Sequence, residues 1–416
     1  MSEIEVMNRP PISPLLVHLM RGLIFTVDLD NGLRVFDLKG SQKLLAIEEL
    51  SCKDTGPPTA LGIDTCGADE SSFLIAIGFE YGQFRVYRFR QESGHITLLY
   101  SHPSSSNGML TALALSGSYL LTITARQQLS LYSFDDAGSI ADTLPLGPPR
   151  LLCSLKSHTV WPPTCLSLRT TSTGLIASIA YAIPTYLSGW SVALQEVRIA
   201  PDGEIAESRL ASVLDQKFRP LLPDELTPIS SSPRSKLNKS DQILSSPSSR
   251  PSTLSYTHPY LLASHPDNTL SLYLVKSTST SLEISNGTRL WGHTSSISGA
   301  HVASRGRAVS VSCKGGELRV WELEGGTTSA FSKRRMASGE FSVQLRPENK
   351  DKLNSDDVDL SMESMADHLT SSGSRHETRS DDTSLARGWI GFDEENVIVL
   401  KEKDEGKQAL VVYDFT

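Results

Sequence analysis

The residues able to do chemistry are scattered along this chain, not clustered. Ten histidines are present, and no two stand four apart, the spacing that sets two metal ligands on one helix face. GxSxG, Walker and HExxH patterns are all missing. Acidic neighbours occur at Asp135-Asp136, Asp356-Asp357 and Asp381-Asp382. Each pair lies in a turn or a polar stretch, where solvated charge explains it, and adjacency in sequence does not make a catalytic pair. The five cysteines, Cys52, Cys66, Cys153, Cys165 and Cys313, have no CxxC spacing. They read as reduced thiols and not as a disulfide or zinc framework. No catalytic, cofactor-binding or metal-binding residue is assigned, and an enzyme is not expected.

The side chains better suited to recognition are Arg34, Arg85 and Arg319, each two residues before an aromatic. A guanidinium pairs bidentately with phosphate or carboxylate, so three at equivalent places suggest a reader of phosphorylated peptides. The outward polar slot of an alternating strand explains the same repetition. Trp161, Trp190 and Trp389 stand apart from the repeating aromatics. Burial is the plainer reading for them, an exposed binding hot spot the sharper one.

The elements that would position these groups repeat. Residues 289–323 hold Gly292-His293, two strand candidates, a turn at Gly315-Gly316, and LRVWEL closing on Trp321-Glu322. The Gly permits a close turn, the His can bond a polar residue of the turn between the second and third strands, and the Trp packs between sheets. Residues 23–38 repeat the pattern and close on Phe36-Asp37. Their turn is Asp30-Asn31-Gly32, strong hairpin chemistry, with Asp30 six residues before the aromatic. Further copies close on Tyr87, Tyr132, Tyr273 (turn acid Asp267) and Tyr413-Asp414, and a weaker one spans residues 151–199. Most of these aromatics recur at about 40–50 residues, one repeat length for a four-stranded propeller blade. In the repeat at 289–323 the position six before the Trp is Gly315, so a His–Asp bond is expected to be missing there.

As a set, the repeats resemble the WD-repeat superfamily. The expected fold is all-β, one propeller of about seven four-stranded blades, near residues 12–38, 57–90, 109–135, 149–200, 253–284, 289–324 and 387–416. Glu3 to Met7 is the strand expected to close the ring onto the last blade. Residues 223–252, rich in Ser and Pro, and the polar residues 329–387 are expected to be disordered insertions, since neither can bury enough apolar surface to order itself. Ser232-Pro233 and Ser246-Pro247 are weak proline-directed phosphorylation motifs.

Residues 289–325 and 388–416 are more closely similar to the C-terminal part of fungal F-box and WD-repeat proteins. That resemblance implies a propeller that recruits proteins for ubiquitination, joined through its F-box to the adaptor of a cullin ligase. No F-box is visible ahead of the first blade. Leu222 to Leu226 (LPDEL) mimics an F-box opening but runs directly into TPISSSPRS, which cannot continue as packed helices. The adaptor is therefore expected as a partner only if an F-box lies upstream. A WD-repeat scaffold without a ligase role is the alternative.

Composition bounds the rest. A net charge of −8 with 21% charged residues argues against nucleic acid or an anionic membrane as a partner. No apolar run reaches the ~18 residues of a membrane span, and the N-terminus has no signal-peptide character. Cytoplasm or nucleus is the expected location.

Overall fold

In the computed structural model, residues 2–7, 15–38, 43–51, 54–66, 69–134, 147–157, 159–171, 174–185, 189–200, 204–213, 249–303, 305–313, 317–323, 342–345, 389–393, 396–402 and 408–414 are described. They build seven antiparallel sheets. Blade 1 is Leu16–Met20, Leu23–Asp28, Gly32–Asp37 and Leu44–Glu48. Blade 2 is Pro58–Cys66, Asp69–Phe79, Phe84–Arg90 and His95–His102, and blade 3 is Leu110–Ser116, Tyr119–Thr124, Gln128–Ser133 and Arg150–Lys156. Blade 4 is Trp161–Thr171, Gly174–Thr185, Gly189–Ile199 and Ile205–Ser212. Blade 5 has Thr253–Thr257, Tyr260–Ser264 and Leu270–Ser277, then two short outer strands, Leu282–Ile284 and Thr288–Leu290, that both pair with its third strand. Blade 6 is Ile297–Val302, Arg307–Ser312, Leu318–Glu322 and Ser342–Leu345. Blade 7 takes Ile390–Phe392, Asn396–Glu402 and Gln408–Asp414 from one end of the chain and Ser2–Met7 from the other.

The first strands of neighbouring blades contact one another all the way round, so they form the hub of a closed ring. Closure uses the expected N-terminal strand: Glu3 pairs with Val411 and Ile4 with Leu410. That pairing covers an edge that would otherwise present a row of free N–H and C=O groups. Across the same seam, Gly22 N donates to Asp393 Oδ2 at 3.2 Å. Leu15, Val17 and Phe36 of the first blade pack on Ile398, Leu400 and Val412 of the last.

The second strands are the most buried, Leu23–Asp28 and Tyr260–Ser264 being closed to solvent throughout. This is why they read in sequence as continuous apolar runs while the outer strands alternate. The seams between sheets hold the large side chains. Phe25, Phe73 and Phe89 meet at centroid distances of 5.6–6.2 Å between blades 1 and 2. Phe84 stacks on His102 at 4.4 Å and meets Tyr132 at 5.1 Å between blades 2 and 3. Between blades 4 and 5 an ionic network joins the apolar core that includes Leu194, Tyr256 and Tyr273. Glu196, fully buried, accepts from Arg169 and Arg209 at 3.3 Å each and from Ser277 Oγ of the next blade at 2.6 Å. Removing one partner of such a buried network costs about 3–5 kcal/mol.

Three sequence expectations change. Sheet boundaries are offset from the sequence repeat. Arg150–Lys156, which the sequence assigns to the fourth blade, is the outer strand of the third, and Thr288–Leu290 completes the fifth blade, not the sixth. The polar stretch 329–387 contributes a strand, Ser342–Leu345, as the outer strand of blade 6. The Ser/Pro-rich stretch ends in ordered chain. Arg250 donates to Pro162 O, and Ser252 Oγ donates to Ile297 O at 2.9 Å. The remaining residues of both stretches, both Ser-Pro motifs and the LPDEL segment lie outside the described residues.

Candidate partner-binding face

Antiparallel connectivity sorts the loops. Turns between second and third strands emerge at one end of the ring, together with the links from each outer strand to the next inner strand. At this end the blade signature groups work as internal braces. His293 Nε2 lies 2.6 Å from Ser310 Oγ, and Trp321 Nε1 donates to the same oxygen at 2.8 Å. Burial lowers the imidazole pKa to about 4, so the ring is neutral. The indole N–H can only donate. Ser310 therefore accepts from Trp321 and gives its own proton to Nε2, which leaves the Nδ1 proton facing Glu317 Oε2 at 3.5 Å. Glu317 also accepts from Thr294 N at 2.9 Å and from Arg319 Nε at 3.1 Å. The aspartate expected to be missing opposite this histidine gives way to a glutamate whose carboxylate stands near the ring. Gly315 lies outside the described residues, and Glu317, two residues later, supplies the carboxylate. Gly292 packs against the Arg319 guanidinium.

Blade 5 carries a second histidine–serine brace, His265 Nε2 to Ser271 Oγ at 3.0 Å, which the sequence reading misses. Its signal is weak, because His265 precedes Pro266 where no Gly-His pair marks it. Asp267 binds Thr269 Oγ1 at 2.6 Å and Arg289 at 3.1 Å. Tyr273, Phe36 and Tyr413 are buried as the repeat requires. Asp37 ends its strand, where its N–H donates to Lys43 O at 2.9 Å, and Asp414 pairs with Asn396.

In blade 1 the turn acid is not Asp30, which is exposed, but Asp28, which is 0% exposed. Asp28 accepts from the backbone N–H of Asp30 at 2.9 Å, the backbone N–H of Asn31 at 2.6 Å, and Arg34 Nη2 at 3.0 Å. Gly32 follows at φ +72°, and a Cβ there would run into Glu48 O.

The three arginines sit in blades 1, 2 and 6 and already hold groups of the protein. Arg34 pairs with Asp28 and lies over the Phe36 ring at 5.6 Å. Arg85 donates to Ser51 O at 3.1 Å and lies over Phe79. Arg319 holds Glu317 and Ser342 Oγ. They fasten the loops of this end instead of converging on one ligand position.

Among its exposed charged residues the same end also offers apolar groups to a partner. Tyr81 is 52% exposed, Trp291 49%, Trp161 44% and Met109 36%, and all four lie in these loops or at the strand ends beside them. Each tryptophan region is stiffened by an arginine. Arg289 lies over Trp291 at 5.9 Å while paired with Asp267. Arg250 lies over Trp190 at 5.0 Å and holds Pro162 O, next to Trp161. Exposed aromatic side chains of this kind make interaction anchors. Trp161 is thus a surface residue. Among the described residues no group of three or more His, Cys, Asp and Glu is placed to hold a metal ion.

No curated protein matches this chain. Among solved structures it is similar to the β-propeller domain of Cps50 (Swd1) from Myceliophteria thermophila, with 12% identity, full coverage of both chains and a TM-score of 0.49. It is similar to the WD40 β-propeller domain of Doa1 at 9% identity, covering 100% of this chain and 96% of that one, with a TM-score of 0.45. For Sqt1 from Chaetomium thermophilum the identity is 16%, the coverage 97% and 82%, and the TM-score 0.46. A family model matches residues 1–416 in full: with its seven blades and closed ring, this chain belongs to the F-box protein pof12 β-propeller family.

Proposed function

We propose that this chain is the substrate-recognition propeller of an F-box-type ubiquitin ligase. The observation that carries the recognition half is the loop face, where Tyr81, Met109, Trp161 and Trp291 are exposed on a scaffold braced by His293, Asp28 and the three arginines. Of these, Trp291 is packed against Arg289, so it loses less side-chain freedom on contact, which favours recognition of a protein surface. Membership of an F-box protein family supports the ligase half. In this reading the propeller is non-catalytic, works in the cytoplasm or nucleus, and meets the cullin adaptor through an F-box encoded upstream.

The test is affinity purification from the source cell with two baits, this chain and a form extended upstream through any open reading frame. Recovery of the adaptor by the extended bait alone, with other proteins shared by both, fits a substrate reader. Recovery of stable partners with no ligase component by either bait would replace it with the scaffold reading.

A further inference from the structure

The seam between blades 3 and 4 has an aliphatic core in which Tyr181 is the single buried ring among the described residues. Radial sheets diverge towards the rim, and these short side chains do not span the gap. A cleft of about 270 Å³ remains, floored by Ile123, Leu129 and Ile179 and bordered by Lys156, Ile205 and Ser208.

Three features of its mouth define an occupant. Ile205–Ser212 is the outermost strand of blade 4, and no described strand pairs with its outer edge. Among the described residues nothing pairs with the outward N–H and C=O groups of its residues 205–211, which suits an added strand, the geometry of β-augmentation. Leu210, Ser208 and Ile205 pair with Gln195, Val197 and Ile199 and share their face, so Leu210, 61% exposed, continues the apolar lining outwards. Lys156 is exposed at the mouth and forms no ion pair among the described residues, so it offers a positive charge beside an apolar floor whose walls also carry Gln127 and Gln195.

We propose that this cleft binds an extended segment of a partner protein, with an aliphatic side chain in the hole and an acidic residue on Lys156. The segment adds as a fifth strand to Ile205–Ser212, so alternate side chains face the cleft. The cleft opens beside the loop face, sharing the link from Lys156 to Val160 with it, and its binding stands whether or not the ligase reading holds.

Random dodecapeptides displayed on phage and selected against the full chain test it. The enriched peptides should carry an aliphatic residue with Asp or Glu within two positions. A synthetic copy of the strongest should bind the wild type and lose detectable binding to Ser208→Trp, which plugs the mouth. Lys156→Glu should weaken it about tenfold through charge repulsion, and Trp291→Ala should leave it unchanged. Both cleft positions are exposed, so the variants should melt like the wild type. If Ser208→Trp alone lowers the melting temperature, Lys156→Glu and Ile205→Arg decide. The proposal is overturned if no such pattern is enriched, or if the selected peptide binds Lys156→Glu and Ile205→Arg as it binds the wild type.

Discussion

Ser310→Ala is the sharpest probe of the brace beneath the loop face. The hydroxyl is fully buried and serves two partners, the Trp321 indole and His293 Nε2. Alanine removes one oxygen and leaves both partners buried without it. Each orphaned polar group costs about 1–3 kcal/mol, and the small cavity is minor beside that. The expected loss is about 2–4 kcal/mol, read as a lower urea midpoint with an unchanged slope. A double-mutant cycle with Trp321→Phe separates the terms. Once the indole N–H is gone, Ser310→Ala should cost about 1–2 kcal/mol less, since residues sharing one network are not additive. A single-mutant effect within about 0.5 kcal/mol of zero, or strict additivity in the cycle, would refute the hydrogen-bond chain.

Three further outcomes are expected. Asp28→Asn should cost about 1.5–3 kcal/mol, because the carboxylate bonds two backbone N–H groups and Arg34, whereas Asp30→Asn should stay within about 0.5 kcal/mol; chemical denaturation of both ranks them. Gly32→Ala should lower stability by more than about 1 kcal/mol, since it combines positive φ with a collision at Glu48 O, and thermal melting reads it. Acid should destabilise the fold: burial lowers the pKa of His293 to about 4 from an unfolded value near 6.5, so the unfolded chain binds more protons between these values. Its contribution is complete above pH 6.5 and is lost as pH falls towards 4, by at most about 3 kcal/mol. His18, also lowered to about 4 by burial and by His301 nearby, acts in the same direction. Melting temperature against pH, with His293→Gln as the comparison, checks the sign.

The parts of the fold legible in sequence are those fixed by burial on both faces. Second strands such as Leu23–Asp28 announce themselves as apolar runs, and third strands end in an aromatic that fills a seam. Outer strands are hidden because one edge and much of their surface meet water. Ser342–Leu345 reads as polar chain, and Arg150–Lys156 attaches by eye to the blade that follows it. The turn acids escape a fixed spacing for a local reason. Asp28 ends a second strand and Glu317 precedes a third, so their distance from the aromatic varies while the space they occupy beside the turn does not. The exposed anchors were the least legible, because a tryptophan's type says nothing about which end of a strand carries it. Trp161 and Trp291 become surface residues only when the order of strands places them among the loops.

The central claim is that the loop face selects the partner. Quantitative affinity purification with the wild-type chain and with a Trp161→Ala, Trp291→Ala double variant tests it most directly. Both residues are about half exposed, so the variant should melt within a few degrees of the wild type. The account predicts that the specific partners fall at least about tenfold with the double variant, as expected when interface anchors are truncated. An unchanged set of partners, recovered in unchanged amounts by a folded double variant, would contradict it.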